Sequence, residues 1–169
     1  MTTAAAARRP FGGDAYDLGC GRLRRVDAVA AEVLGPLLAA TDPWRRLGYS
    51  ATEMSRYLAR DDAGLDRFLI SVGDAPAGAL CLRFPWLRGA YIELVGLAPA
   101  VRGAGIGAAM MDWLASEVAG RAGNLWATVS AFNGGARRFY AAHGFVEVAT
   151  LADLVRSGED DILIRKRIG

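Results

Sequence analysis

Val101-Arg102-Gly103-Ala104-Gly105-Ile106-Gly107-Ala108 is the stretch whose reading decides the architecture. An apolar run of strand character, Tyr91 to Ala98, precedes it, and a segment of helical character, Ala108 to Ala119, follows. Three glycines at alternate positions leave the main chain uncovered where a helix begins. The first amides of a helix lack carbonyl partners and carry the positive end of its dipole. A strand, a bare glycine turn and a helix start together form a site for a phosphate or pyrophosphate. Arg102 adds a fixed positive charge, so the expected ligand is a phosphorylated cofactor. A turn serving only helix–strand packing is the blander alternative, and three spaced glycines beside an arginine weigh against it.

Working outward, Gly21 to Val26 reads as a first strand. Asp27 caps a helix from Ala28 to about Ala40, with Val29, Val33, Leu34, Leu37 and Leu38 as its apolar face and a break expected at Gly35-Pro36. Residues Thr41 to Tyr49 read as a loop. Ser50-Ala51-Thr52-Glu53 is a capping box for a second helix to about Arg60. Strands follow at Arg67–Val72, Ala77–Phe84 and Tyr91–Ala98, expected as an antiparallel meander. After the glycine turn and its helix come a strand, Leu125 to Ser130, and a helix capped by Asn133 that ends at His143-Gly144. Phe145–Ala149 and Asp161–Ile168 are the last strands, with Thr150 to Asp160 a loop between them. The order implies an α+β domain, or mixed α/β, whose sheet is largely antiparallel with one right-handed parallel crossover between Tyr91 and Ser130. Residues 1–14 read as a flexible arm and 15–169 as one domain.

Composition narrows the function classes. The chain has 169 residues, 53% hydrophobic and 22% charged, ordinary for a folded globular domain. A net charge of +2 is too small for a nucleic-acid surface. Cys20 and Cys81 match no metal spacing, and Cys81 reads as a buried small hydrophobe, so no metal is expected. No apolar run reaches the ~18 residues of a membrane span. Arg8-Arg9 lacks the apolar stretch an export signal needs, which leaves the cytoplasm as the expected location.

Gly103-x-Gly105-x-x-Ala108 also fits a dinucleotide-binding pattern, which is weak by itself. That fold needs an acidic residue about 20 positions on, at the end of the next strand, to hold a ribose. The next strand ends Thr128-Val129-Ser130, without one. No Lys-Ser or Lys-Thr follows the glycines, so a P-loop fails too.

Leu97 to Gly107, with Arg102, Gly105 and Gly107 in the pattern arginine, two residues, glycine, one residue, glycine, resembles the acyl-CoA-binding motif of the GNAT superfamily of N-acetyltransferases. Asn133-Gly134-Gly135-Ala136-Arg137-Arg138-Phe139-Tyr140-Ala141-Ala142-His143-Gly144-Phe145 resembles that family's second motif, and the two stand in the family's order. The resemblance covers about Ala77 to Val148. It implies a central, mostly antiparallel seven-stranded sheet flanked by about four helices. It implies that the amides of Arg102, Gly103, Ala104, Gly105, Ile106, Gly107 and Ala108 hold the pyrophosphate of acetyl-CoA. The main chain of Val95 and Leu97 would pair with the pantetheine arm, across an edge exposed by splaying of two strands, with Gly96 consistent with a local irregularity. Asn133 would touch the cofactor near its pantetheine end, and the amide of Leu97 or a neighbour would serve the oxyanion. The partners implied are acetyl-CoA and an amine, either a small molecule or a peptide N-terminus, with a homodimer allowed. An acyl-CoA-binding sensor without catalysis is the first alternative, and a Rossmann-type dinucleotide-binding enzyme, which the missing ribose acid argues against, is the second.

Acyl transfer to an amine raises two proton problems. An alkylammonium, with a pKa of ~10, must lose a proton before attacking, and the departing thiolate gains from receiving one. By resemblance Tyr140 occupies the general-acid position facing the sulfur. Glu93, an acid in an otherwise apolar strand, is the candidate base, acting through water. Strand alternation would set Tyr91, Glu93, Val95 and Leu97 on one face; an ion pair of Glu93 with Arg83 or Arg88 is the structural alternative. His143 reads as structural. The loop with Trp44, Arg45, Leu47 and Tyr49 and the loop with Asp153, Glu159 and Asp160 are expected to set acceptor specificity.

Overall fold

The computed structural model describes residues 9–169. Eight strands form one sheet: β1 (Ala15–Asp17), β2 (Arg22–Arg25), β3 (Leu65–Val72), β4 (Ala75–Trp86), β5 (Gly89–Leu97), β6 (Asn124–Ser130), β7 (Val146–Arg156) and β8 (Glu159–Arg167). Five helices accompany them: α1 (Ala28–Ala39), α2 (Trp44–Leu47), α3 (Ala51–Ala59), α4 (Ile106–Val118) and α5 (Gly134–Ala142). The strand order is β1-β2-β3-β4-β5-β6-β8-β7, antiparallel except for β5 and β6. No helix among the described residues is long and apolar enough to cross a membrane.

The mixed α+β architecture matches expectation, with one strand and one helix more. Sequence reading passed over β1, which is three residues long, and α2, a single turn inside the expected loop. The loop expected over Thr150 to Asp160 is instead a hairpin: β7 continues to Arg156 and turns at Ser157-Gly158 into β8. Sequence reading missed the extension because β7 is an edge strand whose apolar residues, Leu154 and Val155 among them, stay largely exposed and keep no strict alternation of apolar and polar positions.

Two hydrophobic clusters flank the sheet. One lies under α4 and α5 and includes Leu80, Leu82, Ala90, Ile92, Met110, Leu114, Ala127 and Ile162. The other lies under α1 and α3 and includes Leu34, Leu38, Met54, Leu58, Ala79, Cys81 and Leu94. Helix α1 runs unbroken through Pro36. Gly35 there abuts α3, where an added Cβ would stand 2.0 Å from Ser55 Oγ, and this packing keeps the two helices together. The buried face of α1 is Ala30, Ala31, Leu34 and Leu38; Val29 and Val33, expected inside, are exposed.

The boundary expected at residue 14 also moves. Residues 1–8 of the expected arm lie outside the described residues. Phe11 is fully buried against Trp113, its amide donates to Glu117, and Arg9 pairs with Asp66 at 2.9 Å. The folded body therefore begins before β1.

Candidate active site

Strand β5 pairs with β6 only from Gly89 to Ile92. Past Ile92 the strands part, and β6 continues to Ser130 paired with β8 alone. The cause is local. Leu94 stands opposite Cys81 and Ile92 opposite Leu82, so Glu93 is an extra residue in β5, a β-bulge. The irregularity expected at Gly96 is thus at Glu93. Gly96 has another use: an added Cβ would stand 2.7 Å from both Leu38 and Trp44, so the bare position lets α1 and α2 close on the sheet.

The bulge also corrects the expected alternation. Ala90 and Ile92 belong to the cluster under α4, whereas Leu94 belongs to the cluster under α1. Val95 and Leu97 pack on the α4 side. Glu93 meets Tyr57 of α3 and Arg83 on the opposite face. One extra residue therefore divides Glu93 from Val95 and Leu97, which two-residue periodicity had placed together.

Just past β5 the Ala98 amide donates to the Ala77 carbonyl at 2.7 Å. Antiparallel ladders alternate, so Leu97 and Val95 turn their amides and carbonyls away from β4, toward the gap left by β6. The Leu97 carbonyl accepts from Arg102 Nε at 3.2 Å. The chain then makes a 3₁₀ turn, Pro99–Val101, and enters α4 through Gly105 at φ 86°. A left-handed residue at the N-cap suits glycine, and no side chain caps this helix. Its first amides have no side-chain acceptor among the described residues, and Ile106, the first helical residue, is buried beneath them. Cβ atoms added at Gly103 or Gly105 would meet nothing within 4 Å, whereas one at Gly107 would meet Phe139 at 2.9 Å. The first two glycines keep space open; the third lets α5 approach.

A cavity of 730 Å³ follows this turn, lined by Val95, Leu97, Arg102, Gly103, Gly105, Gly107, Ala108 and Asn133 among others. Its wall is main chain and small residues at a helix start, which fits a diphosphate with an extended arm. Asn133 Oδ1 accepts from the Ala136 amide as the cap of α5, and its amide nitrogen has no partner among the described residues. Ala104 sits in the turn and does not line the cavity. Arg137 is engaged with Glu147 at 2.7 Å.

A second cavity, of 320 Å³, opens on the other side of β5, toward α2 and α3. Its walls include Trp44, Tyr57, Tyr91, Glu93, Ser130 and Asp161. The two segments expected to set specificity meet over it: Arg46 pairs with Glu159 at 3.3 Å, and Arg156 donates to the Arg46 carbonyl. Tyr140, Asn133 and Val95 line both cavities. Tyr140 is 5% exposed, and its hydroxyl has no hydrogen-bond partner among the described residues. Burial, with Tyr91 nearby, holds its phenol well above the usual range, so it stays protonated.

Glu93 lies in the cavity wall but is heavily engaged. Arg83 Nε donates to Oε2 at 2.6 Å; Tyr57, Arg83 Nη2 and Arg60 donate to Oε1 at 2.9, 3.2 and 3.4 Å. The ion pair with Arg83, the structural alternative from sequence, is present. His143 caps the C-terminal end of α5 and packs on Phe139. Sequence reading missed Tyr57, Tyr91, Ser130 and Asp161. Asp161 carried a usable signal, an acid opening the apolar run Asp161-Ile162-Leu163-Ile164.

The Acetyltransferase (GNAT) family model matches residues 33–145, which contain the glycine turn, Tyr140 and both cavities' shared wall. The chain belongs to the GNAT acetyltransferase family. Acyl transfer is thus its class of chemistry. This GNAT chain shares its fold with an acetyltransferase from Thermus thermophilus (21% identity, 89% of this chain and 98% of that chain, TM-score 0.69). It likewise resembles Mycobacterium smegmatis RimJ in complex with CoA-disulfide (20% identity, 95% and 90%, TM-score 0.68). A third similar structure is aminoglycoside 6'-N-acetyltransferase complexed with coenzyme A (17% identity, 87% and 97%, TM-score 0.67). Comparison with curated protein sequences found no match.

Proposed function

We propose that this GNAT protein transfers an acetyl group from acetyl-CoA to an amine by direct attack within a ternary complex. One observation carries the reading: Tyr140 stands where a cavity fed by free helix amides meets a second cavity with an acidic and aromatic wall. A donor thioester in the first cavity and an acceptor in the second would meet at its hydroxyl.

The amides of Gly103 to Ala108, with Arg102, take the pyrophosphate. Val95 and Leu97 offer amide and carbonyl groups to the pantetheine arm as a neighbouring strand would, and the Asn133 amide nitrogen holds its far end. The Leu97 amide, or its neighbour, faces the carbonyl oxygen that becomes anionic. As the amine nitrogen bonds to the carbonyl carbon and the carbon–sulfur bond breaks, Tyr140 gives its proton to sulfur and recovers one from the new amide nitrogen. Glu93 receives the ammonium's proton through a water, at the lone pair of Oε2 that no donor among the described residues fills. The acceptor is a small molecule or a peptide N-terminus.

Thiol release from acetyl-CoA against a panel of amines, with mass spectrometry locating the acetyl group on nitrogen, tests the reading. Binding of acetyl-CoA without thiol release for any amine would instead mark a sensor. Density for acetyl-CoA away from residues 102–108 in a soaked crystal would overturn the cofactor assignment.

A further inference from the structure

Three carboxylates line the 320 Å³ cavity, and two of them are already used. Glu53 closes the capping box of α3, accepting from the Ser50 amide at 2.7 Å. Glu93 is held by Arg83, Arg60 and Tyr57. Asp161 differs. It is 6% exposed, and Ser130 Oγ donates to its Oδ1 at 3.1 Å. Its Oδ2 has no hydrogen-bond or ion-pair partner among the described residues.

A carboxylate so enclosed without a cation is unfavourable when ionised, and a cation placed against its free oxygen would offset that cost. The surroundings sharpen the point. Burial comes first among the causes that raise the Asp161 carboxyl above the ordinary range, and the negative charges of Glu159 and Asp160 add to it. Arg46, the cation of the overlying turn, is engaged with Glu159 and lies over the Phe132 ring at 3.7 Å. The same cavity presents the rings of Trp44, Tyr57 and Tyr91, and aromatic faces attract cations. Tyr91 is close enough to both Asp161 and Tyr140 for electrostatic coupling, so this carboxylate lies near the proposed reaction centre.

We infer that Asp161 recognises a positive charge on the acceptor, which makes the acceptor a cationic amine carried on an apolar or aromatic body. The word acceptor rests on the acyl-transfer reading; the cation site rests on the cavity alone.

The test is calorimetry on the full chain with benzylammonium, its neutral isostere benzyl alcohol, and acetyl-CoA. In Asp161→Asn, benzylammonium affinity falls roughly tenfold or more, the scale of a charge-assisted hydrogen bond. Benzyl alcohol binds both proteins alike, and unchanged acetyl-CoA binding reports an intact fold. Ser130→Ala keeps the charge but frees its orientation, so it loses less cation affinity, and it serves if Asp161→Asn does not fold. Equal benzylammonium affinity in wild type and Asp161→Asn overturns the inference, as does no benzylammonium binding by wild type at millimolar concentration. Asp161-dependent cation binding without thiol release would leave the cation site standing and remove acyl transfer to such amines. Thiol release with alkylamines that is unaffected in Asp161→Asn would do the reverse.

Discussion

Glu93 Oε2 stands 2.6 Å from Arg83 Nε, and the pair sits on the bulge where β5 parts from β6. The contact has two consequences that separate experimentally. It fixes the extra residue that opens the cleft, and it engages the carboxylate proposed as base. Glu93→Gln keeps the shape and removes the charge, while Arg83 retains Asp62 at 3.0 Å. Loss of a charged hydrogen-bond partner at a half-buried site predicts a destabilisation of about 1–3 kcal/mol in urea unfolding. A proton relay through Glu93 predicts that kcat falls as well. Lower stability with unchanged kcat would make Glu93 a support for the bulge and leave deprotonation to solvent.

Gly105 tests the anion site. Its φ of 86° disfavours any side chain, by about 1–2 kcal/mol for an L residue in the left-handed region. The direction a Cβ would take is empty, so a new side chain would fill the space left for phosphate. Gly105→Val should lower acetyl-CoA affinity by about 100-fold, equivalent to ~2.7 kcal/mol, measured by calorimetry, with a modest fall in Tm. Retained affinity would move the pyrophosphate elsewhere.

Tyr140→Phe removes one hydroxyl from the junction of the cavities. Proton transfer by a positioned side chain contributes about 10²–10⁴-fold, so kcat should drop by roughly 100-fold or more while acetyl-CoA affinity holds. Because burial raises the Tyr140 phenol, its acid form persists above pH 10. The stability that this neutral phenol contributes is full below the unfolded tyrosine value and is lost as pH rises from that value through the folded one. The kcat profile of wild type should therefore show no alkaline limb from Tyr140 up to pH 10; one that disappears in Tyr140→Phe would contradict the burial argument.

Much of this was legible in the sequence because several features are local. Asp27 accepts from the Ala30 amide, Ser50 and Glu53 close their box, and Asn133 caps α5, each as its spacing implied. The glycine turn was legible for the same reason: a strand, bare positions and a helix start are contiguous. What was hidden depends on register between distant strands. A bulge at Glu93 leaves no mark on periodicity within β5, yet it moves Glu93 to the face opposite Val95. The edge strand β7 leaves its apolar residues largely exposed, so nothing in its sequence sets a buried face against a polar one. Asp161 stood out in sequence as an acid opening an apolar run, but its partner was hidden until β8 set it opposite Ser130.

Asp161 also makes a prediction about stability in the absence of ligand. Its carboxyl is raised in the folded protein, chiefly by burial. Between the unfolded aspartate value of ~3.9 and that raised value, the folded state binds more protons than the unfolded state. Stability therefore falls as pH rises through this window, and the full penalty is present above the raised value. Asp161→Asn carries no such charge, so its Tm should exceed that of wild type at pH 7, and the difference should shrink as pH falls below the unfolded value. A bound cation offsets the same penalty, so benzylammonium should raise the Tm of wild type more than that of the variant. A variant less stable than wild type at pH 7 would mean that the Ser130–Asp161 hydrogen bond outweighs desolvation. The unfavourable burial would then no longer argue for a missing cation.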